Sequence, residues 1–141
     1  MIDRDVILDK ASRIERHLRR IRDKRDIDLN QFLEDLDVQD IVLFNLQIAI
    51  QNCIDIGSHI ISDEGLGVAG STSEIFYILQ ENGYIDAQLT EKIITAVGFR
   101  NLVAHEYGNL DLAKVYQIVH EDIEDIEFFI RTILEKCGIA Q

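Results

Sequence analysis

The sequence predicts an all-α fold, an up-and-down bundle of four to five helices, and three observations carry that expectation. Apolar residues recur every three or four positions through most of the chain, the period of a helix with one buried face. Pro and Trp are absent, and the eight glycines fall mostly at a few punctuation points between those periodic segments. A 47% hydrophobic composition over 141 residues supports one domain, residues 1–141, with a core of its own.

The elements follow in order. A first helix is expected from about Asp5 to Lys24, with Ile7, Ala11, Ile14, Leu18 and Ile21 on one stripe and arginines on the other face. Asp26 to Asn30 breaks the pattern, and Asn30 to Asp35 reads as a short helical turn or connector. From Asp37 to about Ser62 the chain is apolar nearly all round, so this helix must be buried on more than one side, centrally or against a second subunit. Dimerisation is the expectation drawn from it. Its polar residues Asn45, Gln47, Gln51, Asn52, Asp55 and His59 need partners wherever they are buried.

Asp63 to Gly70 is a glycine-punctuated connector that lacks the Gly-Lys-Ser/Thr order of a phosphate loop. Ser71-Thr72-Ser73-Glu74 has capping-box spacing, with Ser71 serving the Glu74 amide and Glu74 returning to Ser71. Ile75, Ile78 and Leu79 give the next helix its buried face, and Asn82-Gly83 ends it. After Asp86 a further helix carries Leu89, Ile93, Ile94, Val97, Leu102 and Val103 to the core. Gly98 lies within it, where a close approach is possible, and Gly108-Asn109 stops it. Asp111 then caps a long last helix with Leu112, Val115, Val119, Ile126, Phe129, Ile130, Ile133 and Leu134 as its stripe.

Charge narrows the function classes. A net charge of −12 excludes a protein that coats nucleic acid non-specifically, since that binding rests on neutralising phosphates with Lys and Arg. The charge is uneven, however: residues 9 to 25 hold eight cations against three anions, a local +5 on an otherwise acidic body. This run is either an anion or partner surface or simply a solvated helix face. Cys53 and Cys137 have no Cys-x-x-Cys or Cys/His spacing, so they read as small core hydrophobes with neither a disulfide framework nor a metal site. No cofactor is signalled. No secretory signal and no stretch of about 20 uninterrupted apolar residues are evident, and a cytoplasmic, membrane-free protein is expected.

The chemistry concentrates in Arg100-Asn101-Leu102-Val103-Ala104-His105-Glu106-Tyr107-Gly108. Arg is a permanent phosphate clamp and His moves protons near neutral pH, which together serve chemistry at a phosphodiester without a metal. On an ideal helix, with about 100° per residue, Asn101 and His105 are i,i+4 neighbours and Tyr107 lies about 340° around from Arg100. The four polar groups can therefore border one groove, with Leu102, Val103 and Ala104 anchoring the opposite arc. The plainer alternative is a basic helix end complementing its own dipole. His17, His59 and His120 each stand singly and read as structural or solvated.

Arg-Asn-x3-His-x-Tyr, together with the long helix reading Asn-Leu-Gln…Cys-Ile-Asp-Ile-Gly-Ser-His-Ile, resembles the HEPN superfamily, specifically the HepT-like toxins. The resemblance covers nearly the entire chain. It implies a dimeric bundle acting as a metal-independent endoribonuclease on RNA, with no call for DNA. Arg100 would bind the scissile phosphate, His105 would transfer protons, and Asn101 would orient the imidazole or bind substrate. It also implies a minimal nucleotidyltransferase antitoxin that silences the toxin by transferring AMP to Tyr107, in a homodimer or a larger complex. Two other readings stand beside it: a non-catalytic nucleotide- or substrate-binding subunit of a nucleotidyltransferase complex, and a purely structural dimer.

Overall fold

The structure, a computed structural model, describes residues 1–139. Among them are six α-helices and one 3-10 turn. The chain runs α1 (Arg4–Arg22), α2 (Leu29–Glu34), α3 (Leu36–Glu64), α4 (Thr72–Glu81), α5 (Ala87–Glu106), the 3-10 turn Tyr107–Asn109, and α6 (Leu112–Lys136). The five longer helices form the expected bundle, and α2 is the short connector.

Helix starts are set by local chemistry. Asp3, Asp28, Asp35, Ser71, Asp86 and Asp111 each accept a backbone N–H from the first turn that follows, satisfying donors that a helix leaves unpaired. The reciprocal capping box is found at Asp28 and Gln31. At Ser71 it is incomplete: Ser71 serves the Glu74 amide as expected, but the Glu74 carboxylate takes the N–H of Gly70, one residue earlier. Gly65, at φ 62°, closes α3 in the left-handed conformation that favours glycine, and Gly83, at φ 79°, follows the end of α4.

α3 is the central element and packs against α1, α2, α4, α5 and α6. Its length and composition would suffice for a membrane span, yet most of its apolar window is buried inside the bundle. α1 runs antiparallel to it, as three pairings show: Asp3 N to Asp63 Oδ2 at 3.0 Å, Lys10 Nζ to Asp55 Oδ2 at 3.6 Å, and His17 Nδ1 to Asn45 Oδ1 at 2.8 Å. The core contains Ile7, Ile14, Leu18, Leu46, Ile56, Phe76, Phe129 and Ile133, all essentially without solvent contact.

The buried polar side chains have partners. Asn45 donates to Ile41 O at 2.7 Å, Asn52 to Ile48 O at 2.9 Å, and Gln39 to Phe32 O at 2.8 Å, which ties α2 to α3. Among the described residues no buried side-chain nitrogen or oxygen is left without one. His17 and His120 are structural, the latter bonded to the carbonyls of Tyr116 and Arg25.

Three local expectations are corrected. Leu102 is 45% exposed and Ala104 is also exposed, so Val103 alone of the three anchors the segment. The reason is angular: Val103 continues the line of Ala96 and Phe99, whereas its neighbours point about 100° to either side of a contact strip that is only one helix face wide. A side chain at Gly98 would meet nothing within 4 Å; the close approach is at Gly57 in α3, where an added Cβ would lie 2.5 Å from Ile75 Cγ2 of α4. Finally, α5 ends by tightening into the 3-10 turn that contains Gly108, and extended backbone at Leu110 ends that turn, with no left-handed glycine cap.

Candidate phosphate and proton-transfer site

The site is built at the C-terminal end of α5. Leu89, Ile93, Ala96, Val97, Phe99 and Val103 hold the helix against the bundle, and this fixes the direction in which its last turns present their polar residues. Arg100 and Tyr107, nearly eclipsed around the helix axis, both meet α3. The two contacts, Arg100 to Gln51 and Tyr107 to Asp40, set α5 antiparallel to α3.

Arg100 is half-buried, and its hydrogen-bond partners are both neutral. Nη2 donates to Gln51 Oε1 at 2.5 Å and Nη1 donates to Asn101 Oδ1 at 3.0 Å. Gln51 is held in that orientation from its other end, since its Nε2 donates to Asp55 Oδ1 at 3.0 Å. Asp55 in turn faces Lys10 of the basic helix α1 at 3.6 Å. A cation, a carboxylate, a carboxamide and a second cation thus stand in series. Among the described residues Arg100 has no carboxylate within salt-bridge distance, and its other N–H donors make no hydrogen bond.

Asn101 therefore meets Arg100 and not the imidazole. His105 is exposed, about 140° around the helix from Arg100, and makes no side-chain hydrogen bond among the described residues. Within one chain, Arg100 and Tyr107 are brought to the same face of α3, while His105 is presented to solvent on another.

Tyr107 stands in the 3-10 turn, 49% exposed, and its hydroxyl donates to the Asp40 carboxylate near the start of α3. That hydrogen bond first, then partial burial and the carboxylate's charge, push the phenol up to about 12. Phe44, one turn beyond Asp40 on α3, is 61% exposed and adds an apolar surface beside the same site. Gln51 and Asp40 are the contributors that the motif did not announce. Gln51 and Asp55 already stood out as polar residues on an apolar helix, which was the available signal for the first; nothing local marked Asp40.

The basic run of α1 divides. Lys10, Arg22 and Arg25 face Asp55, Glu127 and Glu124, and Arg13 faces Asp9 within its own helix. Arg16, Arg19 and Arg20 are exposed and have no carboxylate within salt-bridge distance among the described residues.

Comparison with known proteins identifies the family of the chain. The model of the family described as Ribonuclease HepT-like matches residues 14–133. The mRNA nuclease HepT of Shewanella oneidensis is 36% identical over 129 residues, covering 92% of this chain and 96% of that protein. The tRNA nuclease HepT of Aphanizomenon flos-aquae is 27% identical over 128 residues, covering 91% and 87%. A solved structure of the tri-AMPylated S. oneidensis HEPN toxin in complex with its MNT antitoxin superimposes with a TM-score of 0.86 at 36% identity, over 96% of this chain and 99% of that one. Sequence, helical architecture and the matched span agree, and the chain belongs to the HepT-like ribonuclease family.

Proposed function

We propose that this chain is the toxin of a toxin-antitoxin pair, an endoribonuclease that cuts RNA at a cleft between two copies of itself. The observation that carries the reading is Arg100: a cation held by Gln51 and Asn101, both neutral, in the same helix end as an exposed His105. Arg100 binds the scissile phosphate and stabilises the charge that builds on it, the electrostatic part of catalysis. His105 moves protons between solvent, the ribose 2′-OH and the leaving 5′-oxygen. Attack by the 2′-oxygen on phosphorus forms a 2′,3′-cyclic phosphate, and the broken P–O bond leaves a 5′-OH end. Side chains supply each of these steps, so the reading requires no metal or other cofactor.

The reaction calls for both an acid and a base, and one chain offers a single His at the motif. A two-fold dimer pairs His105 with its symmetry mate and brings two Arg100 side chains to one cleft. Phe44 on α3 and Leu102 on α5 are exposed apolar side chains suited to such a contact. The regulatory partner is a minimal nucleotidyltransferase antitoxin that transfers AMP to Tyr107. The half-exposed phenol is accessible, and AMP there sets bulk and negative charge on the α3 face that Arg100 shares.

Expression of the chain without its partner should arrest growth. Arg100→Ala and His105→Ala should each abolish the arrest while circular dichroism and sedimentation show an intact folded dimer. Purified protein should cut RNA in the presence of EDTA and leave cyclic phosphate ends. Undiminished cleavage by both variants would refute the mechanism, and persistent absence of cleavage by wild-type protein would favour the non-catalytic subunit.

A further inference from the structure

Asp40 is the one carboxylate in contact with the Tyr107 hydroxyl among the described residues, and no motif includes it. Sixty-seven positions separate the two, so the contact exists only because α5 lies antiparallel along α3. The hydroxyl already donates its proton to Asp40 Oδ1, and Asp40 is itself exposed at the first turns of α3. Asp40 is the carboxylate whose charge acts on the phenol; His105 and Glu106 precede Tyr107 in its own segment, Asp37 lies one turn before Asp40 on α3, and Arg100 is held by Gln51.

We propose that Asp40 is the acceptor-side general base for nucleotide transfer to Tyr107, so that the toxin contributes a catalytic residue to its own silencing. The inference rests on the reading that Tyr107 is the AMP acceptor. Tyr107 Oη attacks the α-phosphorus of a nucleoside triphosphate held by the transferase. The Oη–Pα bond forms, the bond from Pα to the bridging oxygen breaks, and pyrophosphate leaves with the electron pair. The phenolic proton passes to Asp40 Oδ1, the atom to which it is already hydrogen-bonded, and then to solvent. Without such a group a neutral phenol is a poor nucleophile, and a positioned base contributes on the order of 100-fold or more.

A bland alternative makes the opposite prediction. Asp40 holds the phenol's pKa up, as the hydrogen bond and its charge require. If Asp40 were only a tether, Asp40→Asn would lower that pKa, raise the phenolate fraction and speed modification. If it is the base, Asp40→Asn keeps a hydrogen-bond acceptor but cannot take the proton, and modification slows.

The experiment uses the full chain with a minimal nucleotidyltransferase antitoxin, ATP and intact-mass detection. Wild-type protein should gain AMP mass that Tyr107→Phe does not; AMP added equally to Tyr107→Phe would reject the acceptor reading itself. With that established, Asp40→Asn and Asp40→Ala should each reduce the initial rate of the first addition by about 100-fold near pH 7, with melting temperatures confirming a folded chain. Any second or third unit must be added to the preceding nucleotide, because Tyr107 has one hydroxyl. The rates of those later additions should therefore not change. Raising the pH should restore the Asp40→Asn rate as hydroxide replaces the base. A first addition as fast as or faster than wild-type in Asp40→Asn would overturn the proposal, as would equal slowing of every addition.

Discussion

Replacing Gln51 by Glu tests whether the neutral partner of Arg100 matters. The change keeps the side chain's length and puts a carboxylate where the carboxamide oxygen sits, 2.5 Å from Arg100 Nη2. Two unit charges about 4 Å apart attract by about 4 kcal/mol at an effective dielectric of about 20. Arg100 is only half-buried, so solvent screening reduces this to about 1 to 2 kcal/mol. That energy must be given up, wholly or in part, when the guanidinium turns to a phosphate, and about 1.4 kcal/mol is tenfold in rate. Gln51→Glu should therefore lower kcat/KM on a short fluorogenic RNA by about 10-fold. Gln51→Ala removes one hydrogen bond but leaves the charge available, and should cost less, about 2- to 5-fold. Thermal melting should show both variants folded; in Gln51→Glu the new repulsion with Asp55 one turn away offsets only part of the attraction to Arg100. Wild-type activity in Gln51→Glu, or a larger loss in Gln51→Ala, would refute the claim that Arg100 depends on uncharged neighbours.

Other consequences are independent of RNA. Gly57→Ala gains about 1 kcal/mol of helix propensity, but its Cβ meets Ile75 Cγ2 at 2.5 Å and Leu79 Cδ1 at 3.4 Å within the core. Overpacking of about 1 to 3 kcal/mol should outweigh the gain and lower the melting temperature by several degrees; an unchanged or higher melting temperature would show that α4 moves away freely. Asp122 is pushed up to about 6 by burial, then by Asp125 and Glu121. The folded state therefore binds this proton more tightly than the unfolded chain, and the contribution to stability falls as pH rises from about 4 to 6. Asp122→Asn should flatten that part of the stability curve and raise the melting temperature at pH 7.5, by less than the unscreened shift implies because the group is partly exposed. Burial, then the charge of Asp55, raises the Cys53 thiol far above the ordinary range. A thiol reagent at pH 8 should label Cys137 slowly and Cys53 only after unfolding; rapid labelling of both would place Cys53 outside the core.

The all-α class, the order of the helices and the segment proposed to be reactive were legible in the sequence alone. Those properties are local: apolar residues at a period near 3.6, aspartates and Ser71 at helix starts, and Gly65 and Gly83 at ends express preferences within a few positions. The Arg100 to Tyr107 cluster was legible for the same reason, since its members lie within two helical turns. Tertiary structure decided what those residues touch. Gln51 is 49 positions from Arg100 and Asp40 is 67 from Tyr107, so each pairing depends on the register of α5 along α3, which core packing sets. The same packing left Leu102 in solvent and pressed Gly57 against Ile75, neither of which a helical period can reveal. Periodicity says which face of a helix is buried; only the packed neighbour says which side chains meet there.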